Sequence, residues 1–468
     1  MKKRLISLIL AAIVLLSCAF AEESQSEEYL LPYIDLYAVP LGENAIFEIP
    51  NEWGYQTSDA ADVPPTTSLL TDQNQMVMAM KLPADWEATD ASDALGIQSF
   101  IVEGTALMLG LTTPQSTRLQ EMTLNDMPAV LVSMNGQGFD ILWVGDSGDL
   151  YFFLFPNDDD ALVQQMISVA QSLCVFHRKG EQVNPASDFA YTADGGEVTI
   201  TDYVGTSEHV LIPPAIDGLP VTALADKAFY EKTVTTVVVP DSVTEIGDLC
   251  FSGDNYLVSL TLPDELAELP YAALESCFRL MDFNLPKELK KISGSALQYN
   301  YYLTHLTLPS SLTEIEQLNF IGLYGLQSLT IAEDNAAFKL DETNGLLMTA
   351  DGTRLLHCFS DIVPAEEIIL PEGVKIVDPF AFHYDYDVER LVLPEGVETI
   401  GAMAFAMCPN LTEIVIPASV TDIGVMDGLE GRTGIISYKR NVIVTPEGCP
   451  AWNWAVETGA TVKSPEEN

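Results

Sequence analysis

Any chemistry in this chain would have to come from few side chains. The five histidines, His177, His209, His305, His357 and His383, carry no second histidine at metal-ligand spacing. Ser147, within Gly145-Asp146-Ser147-Gly148-Asp149, looks like a protease nucleophile in its loop. In proteases with that loop the histidine base precedes the serine, whereas the first histidine here follows it. The string reads better as a polar hairpin turn. Six cysteines remain beyond the first 21 residues: Cys174, Cys250, Cys277, Cys358, Cys408 and Cys449. No close pair has zinc-site spacing, and no nucleophile elbow, phosphate-binding loop, dinucleotide fingerprint or zinc-helix motif occurs. No catalytic residue, cofactor or metal is expected.

The elements that would have to position such residues obey a different rule. Pro240, Pro263, Pro286 and Pro309 stand 23 residues apart, and Pro371, Pro394 and Pro417 resume that spacing. The positions three and one before each proline are apolar every time, from Val237 and Val239 to Ile414 and Ile416. So are those three and six after it, and the large apolar residues eleven and seventeen after it, such as Phe251 and Leu257, or Phe405 and Leu411. A unit this short cannot bury six inward side chains alone, but stacked copies share one core. The fold implied is a solenoid. Cys277 and Cys408 both fall fourteen after their prolines and Cys250 adjoins Phe251, which marks them as small core residues rather than disulfide partners.

Leu257-Val258-Ser259-Leu260-Thr261-Leu262 carries the spacing of a leucine-rich repeat, although Glu265 stands where many such repeats place an Asn or Cys ladder. The wording of residues 397–411 and 411–424 resembles the BspA-like, or Treponema-type, leucine-rich repeat. That resemblance spans roughly residues 200–460 and implies a bacterial surface protein engaged in adhesion to host or matrix proteins and to other cells.

Met1 to Ala21 reads as a secretory signal, with Lys2, Lys3 and Arg4 before an apolar centre and Ala19-Phe20-Ala21 at the cleavage site. The alternative is a lipoprotein signal in which Cys18 carries the lipid. The whole chain has a net charge of −47, and removing three basic residues with the signal makes it −50. Nucleic acid and anionic membrane surfaces are thereby disfavoured as partners, and no membrane insertion is expected unless Cys18 is lipidated.

The expected organisation is a signal at 1–21, a flexible lead at 22–35, an α+β domain at 36–176 and a linker at 177–189. A repeat solenoid at 190–433, with an insertion at about 332–366, and a closing cap at 434–468 complete it. In the first domain, strands are expected at Ile46–Pro50, Ser68–Leu70, Met76–Leu82, Thr117–Leu124 and Ala129–Met134, with a hairpin over Asp140–Phe155. Helices are expected at Ala91–Leu109 and after Asn157. Its opening, residues 47–56, is similar to PsbP/Mog1-like α+β modules. In the insertion, the runs flanking Ala350-Asp351-Gly352 read as a β-hairpin.

Strand alternation puts the residues four and two before each proline on the outer face of the sheet. His305 lies there, and toward the carboxy terminus so do Glu367, Arg390 and Glu413 beside Ile369, Val392 and Val415. The apolar trio is either a binding patch or the ordinary preference of strands for β-branched residues. The primary expectation is an exported, non-enzymatic protein whose solenoid binds an extracellular protein or glycan. An enzyme whose repeats act as a targeting arm, and a structural envelope component, are the alternatives.

Overall fold

The computed structural model describes residues 36–41, 45–50, 54–58, 66–71, 75–82, 117–124, 127–134, 139–146, 149–156, 160–171, 173–175, 183–359, 362–425, 435–436 and 441–467. The secretory signal expected at 1–21, Cys18, the lead expected at 22–35 and the helix expected at Ala91–Leu109 lie outside these residues. The chain divides into two units, 1–182 and 183–468.

The first unit is α+β. A seven-stranded antiparallel sheet runs in the order Gly54–Ser58, Thr66–Leu70, Met76–Leu82, Asp149–Pro156, Phe139–Asp146, Met127–Met134 and Thr117–Leu124. The expected hairpin is present, with Asp146 paired to Asp149. A smaller sheet of Leu36–Pro40, Ala45–Pro50 and Cys174–Val175 accompanies it. The helix Asp160–Gln171 turns Leu162, Met166 and Val169 into a core shared with Phe47 and Phe153, whose rings meet edge to face at 5.4 Å. Strands Leu36–Pro40 and Gly54–Ser58 were not legible as such, since neither has enough alternation to stand out.

The second unit is the solenoid, in which each turn lays down two short parallel strands. On the first face, Val237, Leu260 and Phe283 stand in register on successive strands, as do Ile368, Leu391 and Ile414. On the second face, Leu269, Ile292 and Ile315 do the same. Every inward position named from the sequence is buried. The proline ends the first strand because it has no N–H for the next ladder bond. The chain then turns two corners, nine and thirteen residues after the proline, each in the left-handed backbone region. Leu249, Ala272, Ser295, Leu318, Phe380 and Met403 hold the first corner at φ between 52° and 75°.

Each end is covered. An antiparallel hairpin, Phe189–Asp194 with Glu197–Tyr203, pairs in parallel with Leu219–Leu224 and shields the first turns. At the other end, Val442–Val444 and Thr461–Lys463 extend the first face, and the helix Pro450–Thr458 buries Trp454 in the core. Cys449 caps that helix, its Sγ accepting from the Trp452 amide. Trp452 stays half-buried.

The insertion does more than decorate a loop. Phe338–Asp341, Leu346–Thr349 and Arg354–Cys358 form an antiparallel ribbon, and Arg354–Cys358 joins the second face beside Ile376–Val377. Both sides of its last two strands are buried. Leu347, Leu356 and Phe359 pack into the core of the earlier repeats, whereas Leu346, Met348 and Leu355 pack into the core of the later ones. The insertion is therefore a partition between two half-solenoids. Arg354 pins it to the second half through Nε–Oδ1 and Nη2–Oδ2 bonds to Asp378 of 2.7 and 2.8 Å.

A polar ladder, interrupted among the described positions only by Leu323, also runs through most of the turns, fourteen residues after the prolines rather than at the place of Glu265. There the Cys277 thiol donates to the Phe251 carbonyl at 3.1 Å and the Cys408 thiol to that of Phe382 at 2.8 Å. Asn300 Nδ2 donates to the carbonyls of Leu274 and Leu297 at 3.0 and 2.7 Å. Cys250, Cys277, Cys358 and Cys408 are buried free thiols.

Candidate functional site

The carboxy-terminal sheet face brings together six of the residues named from the sequence. Glu367, Arg390 and Glu413 stand in register on adjacent strands, and Arg390 reaches both acids. Its Nε lies 2.9 Å from Glu413, its Nη1 contacts Glu367, and Lys463 Nζ lies 2.9 Å from the other Glu413 oxygen. The Arg390 bond holds the Glu413 carboxyl below its ordinary range, and Lys463 adds to that. This is a self-compensated row of alternating charge, and exposed pairs of this kind contribute little.

The apolar residues beside it are less open than alternation implied. Ile369 is 59% exposed, but Val392 and Val415 are half-buried. The difference follows from position, because Glu367–Ile369 pairs with a strand on one side while the other two strands are flanked on both. Earlier on this face, Thr236 and Ser259 are buried rather than exposed. His209 lies against the Thr236 hydroxyl at 3.0 Å, and Ser259 donates to Asp282 at 2.6 Å. His305 is exposed, its Nδ1 2.8 Å from Thr304 Oγ1, and its strand pairs with Ser328–Ile331 rather than joining the carboxy-terminal strands.

Ser147 and His177 lie outside the described residues. His357 and His383 sit at the partition, where burial pushes them down to about 3 and about 4. Both are neutral at ordinary pH, and His357 packs between Phe320 and Phe359 at 5.8 and 4.8 Å. Among the described residues, no group of three or more His, Cys, Asp and Glu side chains is placed to hold a metal ion.

The surface that stands out is one the sequence reading passed over. Phe278, Tyr301 and Tyr324 recur at the repeat spacing, fifteen residues after their prolines. Stacking of the turns draws them into one row, with centroids 4.8 and 5.5 Å apart and rings within 16° of parallel. Tyr384 continues the row edge-on to Tyr324 at 5.4 Å, and Tyr386 follows at 6.4 Å, so the row crosses from the first half-solenoid to the second. The inner rings are half-buried, and Tyr386 is 37% exposed. Beside the row, Arg279 lies over Tyr256, itself 50% exposed, at 5.7 Å. Burial raises the Tyr301 and Tyr324 phenols, so the hydroxyls stay neutral donors.

Two rings of this cluster sit on unfavourable backbone. Tyr299, whose ring meets Tyr301 at 6.3 Å, and Tyr384 have φ of 62° and 63° at the second corner, which other turns fill with Gly253, Ser276, Gly322 and Met407. Gly322 has no freedom to be otherwise, since a Cβ there would come within 2.6 Å of the Tyr299 ring.

Residues 222–341 and 356–426 match the model of the BspA type leucine rich repeat region in six copies, so the solenoid is built of repeats of that type. No curated protein matches the chain. Among solved structures, the chain is similar to a T. pallidum leucine-rich repeat protein at 27% identity, covering 49% of this chain and 91% of that one, with a TM-score of 0.33. It is also similar to a leucine-rich cell surface protein of Faecalibacterium prausnitzii at 18% identity, covering 61% and 96%, with a TM-score of 0.40. A third likeness is to PsbP of the cyanobacterium Synechocystis, at 13% identity, covering 33% and 100%, with a TM-score of 0.25.

Proposed function

We propose that this chain is an exported interaction protein whose solenoid docks an extracellular protein through the aromatic row from Phe278 to Tyr386. The row is the observation that carries this reading. Tyrosine and phenylalanine are enriched at the centres of protein interfaces, because rigid rings bury much area at little cost in entropy and a phenol still finds a partner. The net charge of −47 favours a partner that is neutral or basic at its contact surface. The exposed Ile369 keeps the carboxy-terminal sheet face as a second docking surface.

The two surfaces separate by mutation. The parent chain is used to capture a partner from extracellular extract, and affinity is then measured for two variants. Tyr301→Ala with Tyr386→Ala removes two rings from the row. Ile369→Thr, Val392→Thr and Val415→Thr keep strand propensity while erasing the apolar trio. Loss of a hot spot of about 2 kcal/mol or more weakens binding at least about thirtyfold. That loss is expected for the tyrosine variant and not for the threonine one. The reverse pattern moves the site to the sheet face, and two unaffected folded variants remove it from both of these surfaces. Mass spectrometry of the exported chain tests the other half of the reading: Glu22 at the amino terminus fits release, and a diacylated Cys18 fits anchoring.

A further inference from the structure

The rungs of the internal ladder are not chemically alike. At the fourteenth position Cys277, Asn300 and Cys408 each offer a proton to a carbonyl eleven residues past a proline. Asp385 holds the same position differently. Its Oδ1 accepts from the amides of Asp387 and Val388, both at 3.0 Å, while its Oδ2 faces the Cys358 thiol at 3.8 Å. Both oxygens have a partner. Asp254 is the exception. Its Oδ1 accepts from the Tyr256 amide at 3.2 Å, but its Oδ2 is buried with no hydrogen-bond partner, and the residue is 0% exposed.

We propose that Asp254 is a proton-carrying rung, a neutral carboxylic acid inside the first half-solenoid, and that the solenoid loses stability when this proton leaves. An ionised carboxylate with a buried, unpaired oxygen is costly, whereas a protonated one becomes a donor like Cys277 and Asn300. The flanking turns supply no counter-charge. Lys227 lies over the Tyr230 ring at 5.2 Å, Lys232 pairs with Asp202 at 2.8 Å, and Arg279 lies over Tyr256. Glu231 bonds the Tyr230 phenol, and Glu275 and Cys277, on the following turn, are themselves pushed up by burial. Burial raises the Asp254 carboxyl to about 7, against the amides of Tyr256, Val234 and Leu257, which pull it down.

The sign follows from linkage. The folded state holds this proton more tightly than the unfolded chain, so the stabilisation is full below the ordinary carboxylate range and fades as pH rises toward about 7. Across that window the ratio of folded to unfolded protein is expected to fall by about a hundredfold to a thousandfold on account of this residue.

The test compares denaturant unfolding of the full-length parent with Asp254→Asn, in which an amide supplies the donor without titrating. The variant-minus-parent difference in stability should grow steadily from about pH 4 to about pH 7 and then level off. A flat difference overturns the proposal. Infrared spectroscopy of the parent gives a reading that needs no variant: a protonated buried carboxyl should absorb at about pH 6 and vanish at about pH 8. Its absence at the lower pH also overturns the proposal. Asp254→Cys, the residue of the next rung, stands in if the Asn variant does not fold.

Discussion

Phe405→Ala should destabilise one half of the solenoid and spare the other. Phe405 is 1% exposed, packs against Phe382 at 5.7 Å, and donates its amide to the Ile435 carbonyl at 2.9 Å. Returning such a ring to water is worth about 2–3 kcal/mol. The cavity left between neighbouring turns raises the total to about 3–5 kcal/mol. That is a large part of the roughly 5–15 kcal/mol that holds a typical domain together. Phe405 belongs to the core that begins with Leu346 and Leu355, on the far side of the partition from Val237 and Leu260. Hydrogen exchange resolves the two halves. Protection of Arg390–Val392 and Glu413–Val415 should fall by about a hundredfold to a few thousandfold, and that of Ser259–Thr261 should hold. Equal losses on both sides would show that the halves share one cooperative core, and no loss on either side would show that Phe405 does not fill it.

Other tests address the partition and the thiols. His357, held neutral by burial, should make the parent lose stability as pH falls from about 6.5 toward about 3, because the unfolded chain takes up the proton first. His357→Phe should flatten that acid limb in a denaturation series, and a limb unchanged by the variant would place the acid sensitivity elsewhere. Alkylation should reach the half-buried Cys449 first and Cys250, Cys277 and Cys408 only under denaturant, since burial raises those three thiols. Peptide mapping of the labelled sites checks the order.

The solenoid was legible because one period governs seven prolines and all their dependent apolar positions. The hairpin of the insertion was legible from the Ala350-Asp351-Gly352 turn, but its role was not. Leu346 and Leu347 are equally apolar, and alternation sends them to opposite sides of the strand, but nothing in a linear pattern says that each side meets a different core. The ladder was sought at Glu265 and missed because its rungs mix Cys, Asn and Asp, which share no hydropathy. The aromatic row shows in the sequence as Phe278, Tyr301 and Tyr324 at constant spacing, yet it becomes a surface only when turns stack. Strand alternation identified the outer face but overstated its openness at Val392 and Val415, because it takes no account of flanking strands.

The left-handed corners set a limit on how these repeats can diverge. The first corner is held by Leu, Ala, Ser, Leu, Phe and Met in successive turns, and the second by Gly253, Ser276, Tyr299, Gly322, Tyr384 and Met407. Size, polarity and aromaticity vary freely across these twelve sites. Branching at Cβ does not occur, because a Val, Ile or Thr at φ near 60° would force its second γ atom against the backbone. Hydrophobic character can therefore drift at a corner from copy to copy, but a single exchange of Leu249 or Leu318 for isoleucine, nearly silent in composition, would break the path of the chain.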